Sequence, residues 1–585
     1  MKTKWNLALL YSSIDDPKIE SDMRKMESAY EAFAKKYKGK EYLKDKNSLL
    51  LSLNDYEKLA LLRSPLYYFY FLLDLDTSNK KANALKNNYF QRVVKTSNKL
   101  IFYTLSLADF DEKKQREILA DPKFSKYKYF FERIFISKKH KLSEQEEKIM
   151  NLKSQTSRNL WVDGGEKLLN GKEIHYKNHT YSVGEAVNRI RELPQKDRYA
   201  LDDKILETLK DCSYFSEQEL NAIVIDKKIN DELRGFKEPY SSTVLNYENE
   251  EESVVNLVSQ VTKAFPISHR FYALKRKVMK LPKLRYCDKG VAVGNITKKI
   301  PFEEAVSIIT KSFASVDSDF ADIFQNYLKN GQIDVYPKKG KTGGAYCSSD
   351  VSRPTFVLSN YTEGFDSVMT LAHEMGHSIH AEYSQRHQPP MYADHTISVA
   401  EVASTLFENF AFEEMLGRLN NKEKALALFN RVYDDIGTIF RQIACFNFEL
   451  EMHKTIREKG NLSKEELAKM MNKHMLAYLG PNFKLREEDG YFFVYWSHIR
   501  NFFYVYSYAY GQLISKVLYK KYKEDPSFIK NIKAFLSAGE SMSPEDIFKK
   551  CGLDTRDPKF FEEGLKSIEE DVKNLEKLLR KEKMI

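Results

Sequence analysis

Residues 373–377 read His-Glu-Met-Gly-His, inside the longer run TLAHEMGHSIH. On a helix, two histidines four apart stand about 40° apart around the axis, so both imidazoles reach one ion. Glu374 is offset toward the side on which a metal-bound water would sit. Two imidazole ligands and an adjoining general base are the parts of a zinc hydrolase site. Val368, Leu371, Ala372, Met375 and Ile379 make this segment mostly apolar. A glutamate buried beside two histidines is costly unless something pairs with it, and a metal is the partner expected. A catalytic zinc takes a third protein ligand and keeps a fourth position open. Glu401 is assigned that place, in the apolar run HTISVAEVASTLFENFAFEEML. Its separation from His373 accommodates a helix, a turn and an antiparallel return helix. Glu408, two turns beyond Glu401, shares its face. It either accepts a hydrogen bond from a ligand imidazole or makes a plain helix salt bridge. The expected cofactor is one Zn²⁺ per chain, held by His373, His377 and Glu401, with Glu374 as general base toward a zinc-bound water.

A second group lies in HIRNFFYVYSYAYG, His498 to Gly511, with phenols at Tyr504, Tyr506, Tyr508 and Tyr510. It reads as a Tyr-rich helix. Buried phenols need hydrogen-bond partners, so the segment is either an aromatic core or a set of donors. His380 reads as a core residue or a support to the ligands. His175 and His179 fall in an alternating, non-helical pattern and are not expected to bind metal. Cys347, in the substrate-side run GGAYC, reads as a buried small hydrophobe, or else as a thiol that confers sensitivity to thiol reagents.

Rigid elements must position these side chains. Residues 17 to about 160 read as successive amphipathic helices, with Met23, Met26, Tyr30 and Phe33 on one face. EIHYKNHTYSV alternates apolar and polar residues after a glycine-bearing stretch and predicts a hairpin. Helices resume from about Val187 to Arg276. QIDVYPKKGKTGGAYCSSD and PTFVLSNY predict a small sheet. Thr355 to Asn360 is the edge expected to pair with an extended peptide. After Gly364 the pattern is helical almost to the end, closing on a helix with Leu565, Ile568, Val572, Leu575 and Leu578. Few breakers, 23 Gly and 16 Pro in 585 residues, agree with long helices. A chain of this length exceeds one core. The division expected is an N-terminal helical domain at 1–190 and a catalytic domain at 191–585.

The net charge of +10 comes mostly from lysines interspersed with acids, a solvated helix surface rather than a nucleic-acid face. Five scattered cysteines without C-x-x-C spacing suggest a reducing compartment. The longest apolar run, PLYYFYFLLDL, is too short to span a membrane. A cytoplasmic enzyme without nucleic-acid or membrane partners is expected.

HEMGHSIH followed by VAEVASTLFE resembles the thimet oligopeptidase family of zinc metallopeptidases, in its oligoendopeptidase F branch. The opening WNLALLYSSIDDPKIESDMRKMESAYEAFAKKYKGK is similar to that branch, as are ADPKFSKYKYFFERIFISKKHKLSEQEEKIM, IDVYPKKGKTGGAYC, FVLSNY and RQIACFNFELEMHK. The resemblance implies a mainly α, zincin-type metallopeptidase with a small β-sheet, its clam-like helical body enclosing a deep substrate channel. It implies that His498 and a tyrosine donate hydrogen bonds to the substrate carbonyl and the tetrahedral intermediate. Tyr508 is the first choice for that tyrosine and Tyr504 the second. The activity implied is hydrolysis of internal bonds in short unstructured peptides. The alternatives are a carboxypeptidase or dipeptidyl carboxypeptidase on the same scaffold, or a non-catalytic peptide-binding protein.

Overall fold

The apolar face predicted near the start forms a helix over Pro17–Tyr37. Asp16 caps it by accepting from the Lys18 N–H, and Pro17 occupies the first turn, where no backbone donor is needed. Ile19, Met23, Met26, Phe33 and Tyr37 are buried, with Tyr30 packed beside them. The computed structural model describes residues 1–585, the side chain of Glu144 excepted. Helices dominate, and the strands form one hairpin and one three-stranded sheet. Among the described residues no helix is long and apolar enough to cross a membrane.

The chain forms two compact units, each built from three segments. The first comprises residues 1–140, 298–415 and 521–552. Its sheet contains β1 (Ile333–Asp334), β2 (Tyr346–Asp350) and β3 (Arg353–Leu358), in the order β1-β3-β2. Val357 of β3 stands opposite Ile333 in the parallel pair and opposite Cys347 in the antiparallel pair. The expectation of an open edge at Thr355–Asn360 is therefore corrected. β3 is the central strand, and β1 and β2 are the two edges. Thr355, Phe356, Val357 and Leu358 are all buried, as a strand covered on both faces requires. The N-terminal run is tied to this sheet. The Trp5 indole N–H donates to the Val357 carbonyl at 2.7 Å, and its ring packs on Phe71, Tyr346 and Phe356. The sheet leads into α1 (Phe365–His387) and then α2 (Ile397–Leu416).

The second unit comprises residues 141–297, 416–520 and 553–585. It holds the predicted hairpin, Glu173–Tyr176 with His179–Ser182, and a 39-residue helix, Gln195–Leu233. The closing helix, Phe560–Lys581, buries Leu565, Ile568, Val572 and Leu575, and Leu579 rather than Leu578 completes the stripe. α3 (Arg441–Lys459) follows a π-helical turn at Ile436–Phe440. The segment from His498 to Gly511 is not one helix. His498 lies on a short 3₁₀ turn, Ser497–Arg500, and α4 (Tyr506–Glu524) starts only after Phe502 and Phe503 adopt φ of 49° and 63°. That left-handed backbone is strained for phenylalanine. It is held by Glu449 of α3, whose carboxylate accepts the Phe503 N–H at 2.9 Å.

Candidate active site

α1 begins after Gly364 and has Asp366 in its first turn, favourable toward the helix dipole. Its mid-section crosses α2 closely at Gly376. A Cβ there would stand 2.6 Å from the Ser404 Cα and 3.1 Å from the Ala403 oxygen. The crossing sets the histidines of α1 against the glutamates of α2. His373 Nε2 lies 3.5 Å from Glu401 Oε2, and His377 Nε2 lies 3.9 Å from Glu401 Oε1. The two imidazoles are nearly perpendicular at 83°, with centroids 5.0 Å apart. One ligand atom from each of His373, His377 and Glu401 falls within 4.8 Å of the others. Around a tetrahedral zinc with bonds of about 2.1 Å, ligand atoms stand roughly 3.4 Å apart, so this donor set fits such an ion. Glu408 reaches the far side of the first imidazole, its Oε2 3.3 Å from His373 Nδ1. The Ser404 hydroxyl donates to Glu401 Oε2 at 3.2 Å.

The electrostatics show what the pocket demands. Burial pulls the His373 imidazolium down, but Glu401 and Glu408 outweigh it and hold its pKa at about 10. Burial, and then His373, push His377 down to about 3. Glu401 is held at about 2 because the two histidines outweigh its burial. Without a metal, then, the site keeps a proton on the His373 imidazole against the Glu401 carboxylate. Glu374 is only 6 % exposed. Burial raises its pKa to about 7, although His373 and the nearby Cys347 backbone N–H oppose the rise. Burial pushes the Cys347 thiol up to about 12, which leaves it a poor nucleophile near neutrality. His380 is fully buried and stacks on His395 at 4.2 Å, away from the three convergent ligand atoms. His175 is on the hairpin surface, its Nδ1 against Thr180 Oγ1.

His498, Tyr504 and Tyr508 cluster in the second unit. His498 Nδ1 is hydrogen-bonded to the Tyr504 hydroxyl. The Tyr508 ring lies 6.1 Å from the imidazole and 5.8 Å from Tyr504. Burial, then Arg441, lowers the His498 pKa, so this imidazole is neutral at pH 7. Tyr506 and Tyr510 face the core instead. The Tyr506 hydroxyl donates to Asn249 Oδ1 at 2.9 Å, and Tyr510 packs on Phe561. Sequence reasoning missed Gly376 and Glu449. A glycine inside an apolar helix was the visible signal for the first. For the second no local signal exists, because its partner is a backbone N–H 54 positions away.

A family model described as Peptidase family M3 matches residues 207–567, and one described as Oligopeptidase F matches residues 106–168. Oligopeptidase PepF of Bacillus subtilis is 29% identical over 570 residues, covering 94% of this chain and 83% of that protein. An oligoendopeptidase F homolog of Borreliella burgdorferi is 28% identical, covering 94% of each. In fold, the chain matches a crystal structure of a Chlamydophila abortus protein described as a candidate peptidase. The TM-score is 0.88, with 22% identity and 98% of each chain covered. It also matches oligoendopeptidase-F from Enterococcus faecium at a TM-score of 0.71 and 20% identity, over 96% of this chain and 99% of the other.

Proposed function

The chain belongs to peptidase family M3, and we propose that within this metallopeptidase family it is a zinc-dependent oligoendopeptidase that cuts internal bonds of short, unstructured peptides. The observation that carries this reading is the convergence of His373, His377 and Glu401 beside the buried Glu374. These three residues would hold the metal. Bound zinc supplies Lewis acidity, polarising a carbonyl and easing the deprotonation of water. Glu374 accepts the proton of the attacking water and passes it to the leaving amine. Burial gives its carboxylate a basicity suited to both transfers. Glu408 orients the His373 ring through Nδ1. His498 with Tyr508, and Tyr504 as the second phenol, donate to the developing oxyanion. Their clustering and the family likeness support that role. An extended peptide pairs along the outer edge of β2 by main-chain hydrogen bonds, a mode that tolerates many side chains. The names of the relatives, oligopeptidase and oligoendopeptidase, support a preference for short substrates.

The test is one internally quenched peptide, made with a free and with an amidated C-terminus. Both forms should be cut at an internal bond at comparable rates. A chelator should stop the reaction and added zinc restore it. Cleavage of the free acid alone, releasing C-terminal residues, would make the enzyme a carboxypeptidase. No cleavage of either form would leave a peptide-binding protein.

A further inference from the structure

A cavity of about 340 Å³ opens within the second unit, walled by aromatic rings together with Arg191, Lys289 and Arg441. None of these three cations makes an ion pair among the described residues. The Arg441 guanidinium lies 4.4 Å over the Trp496 ring, and its Nε is shut off from solvent without a hydrogen-bond partner. An aromatic face supports a cation but supplies no counter-charge. Lys289 Nζ donates to the Tyr286 oxygen at 3.1 Å. A fourth cation stands close, since the Lys275 ammonium donates to the main-chain oxygens of Lys289 and Val291.

The carboxylates nearby do not balance this charge. Asp202, on the wall, is paired with Arg486. Asp288 is held by Arg198 at 2.8 Å, by the Tyr199 hydroxyl at 3.0 Å and by the Arg285 N–H. Asp434, the other acid on the wall, leaves an excess of cations. Burial, followed by Arg441, Arg191 and Lys275, pushes the Lys289 ammonium well below the usual lysine range. Cations crowded in a low-dielectric pocket cost free energy that an anion among them would offset. The backbone is shaped here as well. The π-helical turn Ile436–Phe440 immediately precedes Arg441 and places Gly437 and Thr438 on the wall. Such turns recur at functional sites.

We propose that this cavity is a binding site for a small oxyanion, a phosphate or a carboxylate, held by Arg441 and Lys289 with Arg191 at its mouth. Its volume is at the small end for ligand pockets, which suits a single phosphate or a minimal organic acid. The site lies outside the metal-ligand cluster, and its test reads binding, so it stands or falls apart from the peptidase reading.

The probes are inorganic phosphate, N-acetylglycine as the carboxylate of a peptide end, and neutral N-acetylglycinamide. Each is titrated calorimetrically into the zinc-loaded full chain, with ionic strength held constant. Phosphate, N-acetylglycine or both should bind and N-acetylglycinamide should not, and which acid binds identifies the source of the anion. Arg441→Met and Lys289→Met should each weaken binding by roughly tenfold or more, the loss of a charge-assisted hydrogen bond. Without anion, Arg441→Met should melt at or above the wild-type temperature, since it removes an uncompensated charge. If Arg441→Met does not fold, Lys289→Met carries the comparison. The proposal is overturned if neither acid binds, or if binding survives both substitutions. It is also overturned if Arg441→Met melts well below a wild type that anions do not stabilise, for then the guanidinium serves packing on Trp496.

Discussion

Glu401 and Glu408 approach His373 on its two ring nitrogens, at 3.5 Å from Nε2 and 3.3 Å from Nδ1. In the metal-free protein they hold its proton up to a pKa of about 10, against 6.5 ordinarily. A proton bound more tightly in the folded chain stabilises the fold fully below pH 6.5, and that contribution is lost as pH rises through 10. Glu374, raised from 4.5 to about 7, acts in the same direction over a lower range. His377, pushed down from 6.5 to about 3, has finished its change by pH 6.5. From about pH 7 to pH 10, then, the chelated protein should lose thermal stability through His373. Zinc bound by that imidazole would take the place of the proton. Scanning calorimetry should show a steeper fall for chelated than for zinc-loaded protein, and a smaller fall for chelated Glu408→Gln. Equal slopes in all three would place the proton elsewhere. A second expectation concerns the phenols. Tyr508→Phe should lower kcat by roughly 10²–10³-fold with little change in KM, as expected for a donor used only in the transition state. Tyr506→Phe, whose hydroxyl serves Asn249, should cost stability rather than kcat. A kcat loss confined to Tyr504→Phe would move the donor to Tyr504, and no loss in either would leave an aromatic cluster without a catalytic part. At this scale the sequence was informative where spacing does the work. His373 and His377 share a face of α1, Glu401 and Glu408 a face of α2, and the convergence of the first three could be anticipated. The division of four tyrosines into two that meet His498 and two that face the core could not, because it depends on where α4 begins.

α1 and α2 meet backbone to backbone at Gly376. Alanine in place of a helix-interior glycine ordinarily stabilises by up to about 1 kcal/mol. Here the added methyl would stand 2.6 Å from the Ser404 Cα, and neighbouring backbone cannot move as a flexible side chain would. Gly376→Ala should therefore destabilise by roughly 1–3 kcal/mol. It should also weaken zinc retention, because parting the helices carries Glu401 away from the imidazoles. The urea midpoint and zinc per chain after dialysis check both effects, and a variant more stable than wild type would show that the crossing has slack. Elements with a strong local period were legible in the sequence. They include the Met23–Phe33 face, the hairpin at 173–182 and the stripe of the closing helix. The centrality of β3 was not, since it follows from pairing Val357 with Ile333, a long-range choice that alternation does not encode. Nor was the break before α4. Phe502 and Phe503 carry no glycine or proline signal, and their backbone is held by Glu449 from another helix.

Each of the two units gathers three separated segments, so neither is a contiguous stretch of chain. Linear composition cannot reveal that. What the whole sequence did carry was the family, because similar segments are spread from the N-terminus through α3, and the M3 match itself spans residues 207–567. On this reading the molecule's peptidase activity depends on one buried acid beside a metal that other residues would hold. Zinc content and turnover, measured on the same preparation of Glu374→Gln, test this most directly. The amide nearly preserves shape and leaves His373, His377 and Glu401 untouched, but it cannot accept the water proton. One zinc per chain, as in wild type, is expected, with peptide turnover reduced by roughly 10²–10⁴-fold. Full zinc with more than about a tenth of the activity would contradict it, since general-base help is worth far more than that.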